Sequence, residues 1–71
     1  MGALTDTEHI VAGHVASGHS NPEIAARMYI SRRTVGSHVS NILQKLGMTS
    51  RVELAAEVIR RRGLDEPPPP D

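Results

Sequence analysis

The chain is divided into short lengths by its own start and stop signals, which restricts it to a bundle of brief helices. Thr5 with Glu8, Ser20 with Glu23, and Ser50 with Glu53 each set a hydroxyl residue three positions ahead of a glutamate. That spacing is the capping box: the hydroxyl accepts from an N–H of the first helical turn, and the glutamate reaches back to the N–H of the cap. Ser31 is a further cap without a box partner, and Gly18, Gly47 and Gly63 stand where helices are expected to stop.

Between these marks the apolar residues recur with helical period, and no strand-period segment or internal repeat is visible. Val11 and Val15, with Leu4 ahead of them, make the first stripe; Ile24, Ala25 and Met28 make the second. Val35, Val39, Ile42 and Leu46 line the third segment, and Val52, Leu54, Ala55, Val58 and Ile59 the fourth. The expected fold class is all-α, with four helices over about 6–17, 22–28, 32–46 and 51–62. The second helix has two possible starts. Either Ser20 caps it with Glu23 as box partner, or Asn21 caps it with Pro22 at the first helical position. Residues 1–63 are expected to form one domain. Residues 64–71, with four consecutive prolines, are expected to be an extended, disordered tail.

Composition removes several classes of function. The chain has no cysteine, hence no disulfide, thiolate ligand or cysteine nucleophile. Tyr29 is the one aromatic residue, so the core rests on Ile, Val, Leu, Met and Ala, and modest stability is expected. No apolar run is long enough to span a membrane, and Met1-Gly2-Ala3-Leu4 lacks the basic start of a signal peptide. A cytoplasmic protein is the expectation.

No catalytic site, metal site or cofactor is expected. His9, His14 and His19 recur at a spacing of five, about 140° off per step on a helix, so they are not expected to share one face. No Cys or acid completes a zinc site. His38 has no nucleophile or carboxylate near it on its helix, and Ser20, Ser31 and Ser50 are explained as caps.

The formal net charge is zero, but the charges are segregated. Residues 1–26 hold three acids and no lysine or arginine, whereas residues 27–51 hold Arg27, Arg32, Arg33, Lys45 and Arg51 and no acid. Residues 52–71 hold three arginines against five acids. A local run of cations inside a neutral chain marks a basic face suited to phosphate. It coincides with a short helix at 22–28, a three-residue turn and a longer helix at 32–46. This is the helix-turn-helix arrangement, whose second helix enters the major groove of DNA. The outward positions near the start of that helix are Arg33, Thr34, Ser37 and Ser40, small or hydrogen-bonding side chains that let a helix approach base edges.

These residues resemble a known family, the LuxR-type helix-turn-helix of bacterial transcription regulators. Leu4-Thr5-x-x-Glu8 resembles its opening, and Gly18-x-Ser20-Asn21-x-Glu23-Ile24-Ala25 its second-helix start. Ile30-Ser31-x-x-Thr34-Val35, then His38 and Asn41-Ile42-x-x-Lys45-Leu46-Gly47, is similar to its recognition helix, and Ser50-Arg51 to the opening of its last helix. The resemblance runs from Leu4 to about Ile59. It implies sequence-specific binding of double-stranded DNA by a homodimer, usually behind a receiver or ligand-sensing domain. On the matching positions it implies DNA contacts from Thr34, Asn41, Lys45 and Arg51, with groove-facing positions at 33, 36, 37 and 40. Pairing through the fourth helix around Arg51, Leu54, Ala55 and Val58 is implied as well. Together with the charge pattern, the expected DNA-binding set is Arg27, Arg32, Arg33, Thr34, Ser37, His38, Ser40, Asn41, Lys45 and Arg51.

The chain departs from the family at several points. Gly36 stands where the family often has lysine, Thr7 where arginine is usual, and Ala12 and His14 where leucines are usual. A thinner core around the first helix and weaker DNA binding are the expectation. Gly36 and the zero net charge also favour a rival of another class: a protein-interaction module that keeps the fold and has lost DNA binding. The basic segment and the caps oppose it.

Overall fold

The computed structural model describes residues 3–65, with side chains described as far as Arg61. Thr5 begins the first helix: its hydroxyl accepts from the Glu8 N–H at 3.1 Å, and Glu8 Oε1 accepts from the Thr5 N–H at 2.9 Å. Helix α1 follows over Asp6–Ala16. Ser20 repeats the device with Glu23 and opens α2, Asn21–Met28, with Pro22 in the first turn where no N–H is needed. Of the two starts the sequence allows, Ser20 is therefore the cap. Ser31 caps α3, Arg32–Leu46, by accepting from the Thr34 N–H at 3.0 Å. The four helices α1 to α4 are the only regular elements among the described residues.

Helix α4 spans Arg51–Asp65 and departs from expectation at both ends. At its start Ser50 accepts from the Glu53 N–H, but the Glu53 carboxylate accepts from the Thr49 hydroxyl at 2.9 Å, so the box closes one residue early. At its end the helix runs through Gly63, Leu64 and Asp65. A glycine inside a helix costs only about 1 kcal/mol relative to alanine and ends one only where the next turn gains by leaving it. Leu64 and Asp65, expected in the tail, thus belong to α4, and residues 66–71 lie outside the described residues.

Helix α1 lies against both α3 and α4, while α2 packs on α3. The buried core takes Val11, Ala12 and Val15 from α1, Ile24 and Ala25 from α2, Val35, Val39 and Ile42 from α3, and Leu54 from α4. Leu4, Met28, Ile30, Leu43, Leu46, Met48, Ala55 and Val58 pack around it. No aromatic ring contributes, since Tyr29 is 95% exposed.

Three helix ends use the same turn. After α1, Gly18 adopts a left-handed conformation (φ +86°); its N–H reaches the Val15 carbonyl, and the His19 N–H reaches the His14 carbonyl at 3.1 Å. After α3, Gly47 does the same, with the Met48 N–H on the Leu43 carbonyl at 2.9 Å. After α2 the left-handed residue is Tyr29 (φ 57°), and the Ile30 N–H reaches the Ala25 carbonyl at 3.1 Å. The long bond in each is that of the Schellman turn, which satisfies carbonyls the helix leaves open. In a non-glycine residue the left-handed conformation costs roughly 1–2 kcal/mol. The turn between α2 and α3 therefore carries strain at an exposed side chain.

Candidate nucleic-acid interface

Helix α3 buries Val35, Val39 and Ile42, and this fixes what it shows to solvent. At 100° per residue, Arg33, Ser37, Ser40 and Gln44 fall in one outward stripe, and all four are exposed. Gln44 adds to the residues expected from the sequence: it lies four on from Ser40, the step that keeps to one face of a helix. Asn41 and Thr34 border the stripe and are exposed, and His38 is half-buried at the margin. The Thr34 hydroxyl lies 2.8 Å from Ser31 Oγ, so it is part of the cap as well as of the surface. Gly36 lies between the stripe and α2; a Cβ there would have only Asn21 Nδ2 near it, at 4.0 Å.

The five cations of the basic segment fall into two groups. Arg27 ends α2, Arg32 and Arg33 begin α3, and all three are exposed. In the chain they flank the turn between α2 and α3. Lys45 and Arg51 are instead engaged in holding helices. Lys45 Nζ lies 2.6 Å from Glu8 Oε1, which joins the end of α3 to the start of α1. Arg51 Nη1 donates to Asn21 Oδ1, and its Nη2 donates to the His19 carbonyl at 2.6 Å, which joins α4 to the start of α2.

Glu8 is the one buried charged residue among those described. The Lys45 ammonium, and then the Thr5 N–H, hold its carboxyl down at about 2, well below its ordinary value. The Glu23 carboxyl is held low by the Ser20 N–H and hydroxyl, and that of Glu57 by Arg60 and Arg61. Each of these carboxylates is committed to a cap or an ion pair.

The domain of which this helix pair is part is decided by comparison. Residues 2–58 match the family described as bacterial regulatory proteins, luxR family. The chain belongs to the LuxR family. Its fold is that family's all-α helix-turn-helix domain, found in DNA-binding transcription regulators and not in enzymes. An HTH-type transcriptional regulator of Mycobacterium tuberculosis (strain ATCC 25618 / H37Rv) is 47% identical over 60 residues, 84% of this chain and 7% of that protein. The transcriptional regulatory protein NarL of the same organism is 40% identical over 62 residues, 87% of this chain and 29% of that protein. The DNA-binding transcriptional activator DevR/DosR, also from M. tuberculosis, is 40% identical over 55 residues, covering 78% of this chain and 25% of the relative. The LuxR domain described here thus spans a small part of the length of the relatives it matches.

The fourth-helix residues expected to pair two LuxR domains are placed differently from one another. Leu54 is wholly buried in the core and is on no surface, while Ala55 and Val58 are half-buried against it. The sequence stripe was too broad: Val52 lies about 160° from Leu54 around the helix and is 77% exposed, and Ile59, 56% exposed, lies beside it. With exposed Ala56 these make the outward apolar face of α4. Among the described residues no helix is long and apolar enough to cross a membrane.

Proposed function

We propose that this domain binds double-stranded DNA sequence-specifically as a homodimer, with α3 in the major groove of each half-site. The observation that carries the reading is the outward stripe of α3: Arg33, Ser37, Ser40 and Gln44 stand in a row with no acid among them, flanked by Arg27 and Arg32. Arg27 and Arg32 neutralise phosphates, while Arg33, Ser37, Ser40 and Gln44 meet base edges. Thr34, His38 and Asn41 line the margin toward the backbone. Lys45 and Arg51 act chiefly through the helices they hold in place. The dimer face is Val52, Ala56 and Ile59, continuous with half-buried Ala55 and Val58. An apolar row of this kind is exposed on a lone domain and covered in a pair. Resemblance to the LuxR family supports a regulatory domain beside this one and a role in the bacterial cytoplasm, and the greater length of the relatives leaves room for such a domain.

The test is selection of bound duplexes from a random pool at low and moderate salt. A two-fold-symmetric site is expected. With two phosphate-neutralising arginines per protomer, affinity should fall with a log–log salt slope of about −4 for the dimer. No retention even at low salt would overturn the reading in favour of a protein-interaction module, the class that Gly36 favours.

A further inference from the structure

The turn after α1 differs from the other two in one chemical respect. A Schellman turn brings together the side chains at its two ends, and an apolar pair usually fills those positions. Ala25 and Ile30 hold them after α2, Leu43 and Met48 after α3, and all four belong to the core or pack on it. After α1 the same positions hold His14 and His19. Their Nδ1 atoms lie 3.3 Å apart and their ring centroids 5.3 Å apart, both residues half-buried. The five-residue spacing separates these rings only on a continuous helix. Here α1 ends at Ala16, and the turn returns His19 to His14.

We propose that His14 and His19 form a two-imidazole Zn2+ site at the corner between α1 and α2. Tetrahedral zinc with Zn–N bonds of about 2.0–2.1 Å sets neighbouring nitrogens roughly 3.3–3.4 Å apart. A square-planar ion with similar bonds needs about 2.9 Å. The 3.3 Å separation matches the tetrahedral spacing, as it also suits the hydrogen bond that now joins the rings. Today one ring donates through Nδ1 and the other accepts. On binding, the donor ring moves that proton to its own Nε2, and both Nδ1 lone pairs face the metal. No third His, Cys, Asp or Glu joins the pair among the described residues, so water completes the sphere. The backbone of the site is already held: Gly18 fixes the turn, and the His19 carbonyl accepts from Arg51. Zinc there ties the end of α1 to the residue just before the Ser20 cap and leaves the α3 stripe untouched.

The test compares the full chain with a His14→Leu/His19→Leu variant and a His9→Gln control. Calorimetric titration with Zn2+ should give saturable one-to-one binding in the wild type and the control. It should be at least tenfold weaker in the double variant, which keeps the helical fold because leucines supply the apolar pair the other turns use. The wild-type melting temperature should rise with Zn2+ and fall back with EDTA. In the wild type, NMR should show Zn2+ shifting the ring signals of His14 and His19 and not those of His9 or His38, and the control should show the same His14 and His19 shifts. Undiminished binding by the double variant, shifts at other histidines, or no response to millimolar Zn2+ would overturn the proposal.

Discussion

Lys45 and Glu8, 37 residues apart in sequence, meet at 2.6 Å and join the end of α3 to the N-terminal cap of α1. Glu8 Oε1 also accepts from the Thr5 N–H, so one oxygen serves both the cap of the first helix and the anchor of the third. Lys45 thereby acts on DNA binding through the pose of α3. Lys45→Ala leaves a buried carboxylate without its cation, which is far more damaging than losing an exposed ion pair. The melting temperature of Lys45→Ala should drop by several degrees, and DNA affinity measured well below the transition should fall much less than in Arg32→Ala. An unchanged melting temperature with a large affinity loss would make Lys45 a phosphate contact instead.

The same pair sets a pH dependence. The Glu8 carboxyl titrates at about 2 when folded and near 4.5 ordinarily, so the unfolded chain takes up its proton first as pH falls. Its contribution is therefore complete above about pH 5 and is lost progressively as pH drops from there toward 2. Glu23 and Glu57 are shifted the same way, so the contribution of Glu8 is isolated by difference. Melts of the wild type and Glu8→Gln from pH 7 to 2 should converge on acidification. A constant gap between them would show that the carboxylate charge is irrelevant.

Much of the fold was legible because it is written in local chemistry. Thr5, Ser20, Ser31 and Ser50 each act on an amide three residues away, and α3 runs over 32–46 as its cap and Gly47 require. What could not be read is what depends on distant partners. Nothing in the basic segment separates Lys45, which meets Glu8, from Arg32, which meets solvent. The apolar run of α4 does not say that Leu54 faces α1 while Val52 faces out, since that depends on how far the helix is rotated in the bundle. Gly63 failed as a stop because a glycine permits a left-handed turn without enforcing one.

Gly36 lies inside α3 with room for a side chain: an added Cβ has only Asn21 Nδ2 near it, at 4.0 Å. Gly36→Ala should stabilise the domain by about 1 kcal/mol, raising the melting temperature by roughly 4–8 °C for a chain of this size. A fall in melting temperature would mean that α2 and α3 pack more closely there than the 4.0 Å approach indicates.

Tyr29 holds a left-handed conformation (φ 57°) while its ring is 95% exposed, so substitution there removes strain without removing packing. Tyr29→Asn, whose side chain tolerates this region, should add roughly 0.5–1 kcal/mol to unfolding stability in denaturant melts. A loss of stability would assign the tyrosine ring a packing role that its exposure does not show.

The two sides of α4 should respond to substitution in opposite ways. Leu54 is completely buried, and Leu54→Ala should cost about 2–5 kcal/mol, a large share of the stability of so small a domain. Val52 and Ile59 are 77% and 56% exposed, so a Val52→Glu/Ile59→Glu variant should melt close to the wild type as a monomer. If their face joins two copies on DNA, that variant should lose the cooperative complex on a two-fold-symmetric site and retain only weak half-site binding. Gel-shift titrations on full and half sites separate these outcomes. Undiminished cooperative binding would place the dimer contact on another surface and leave Val52 and Ile59 as apolar residues that a thin core did not cover.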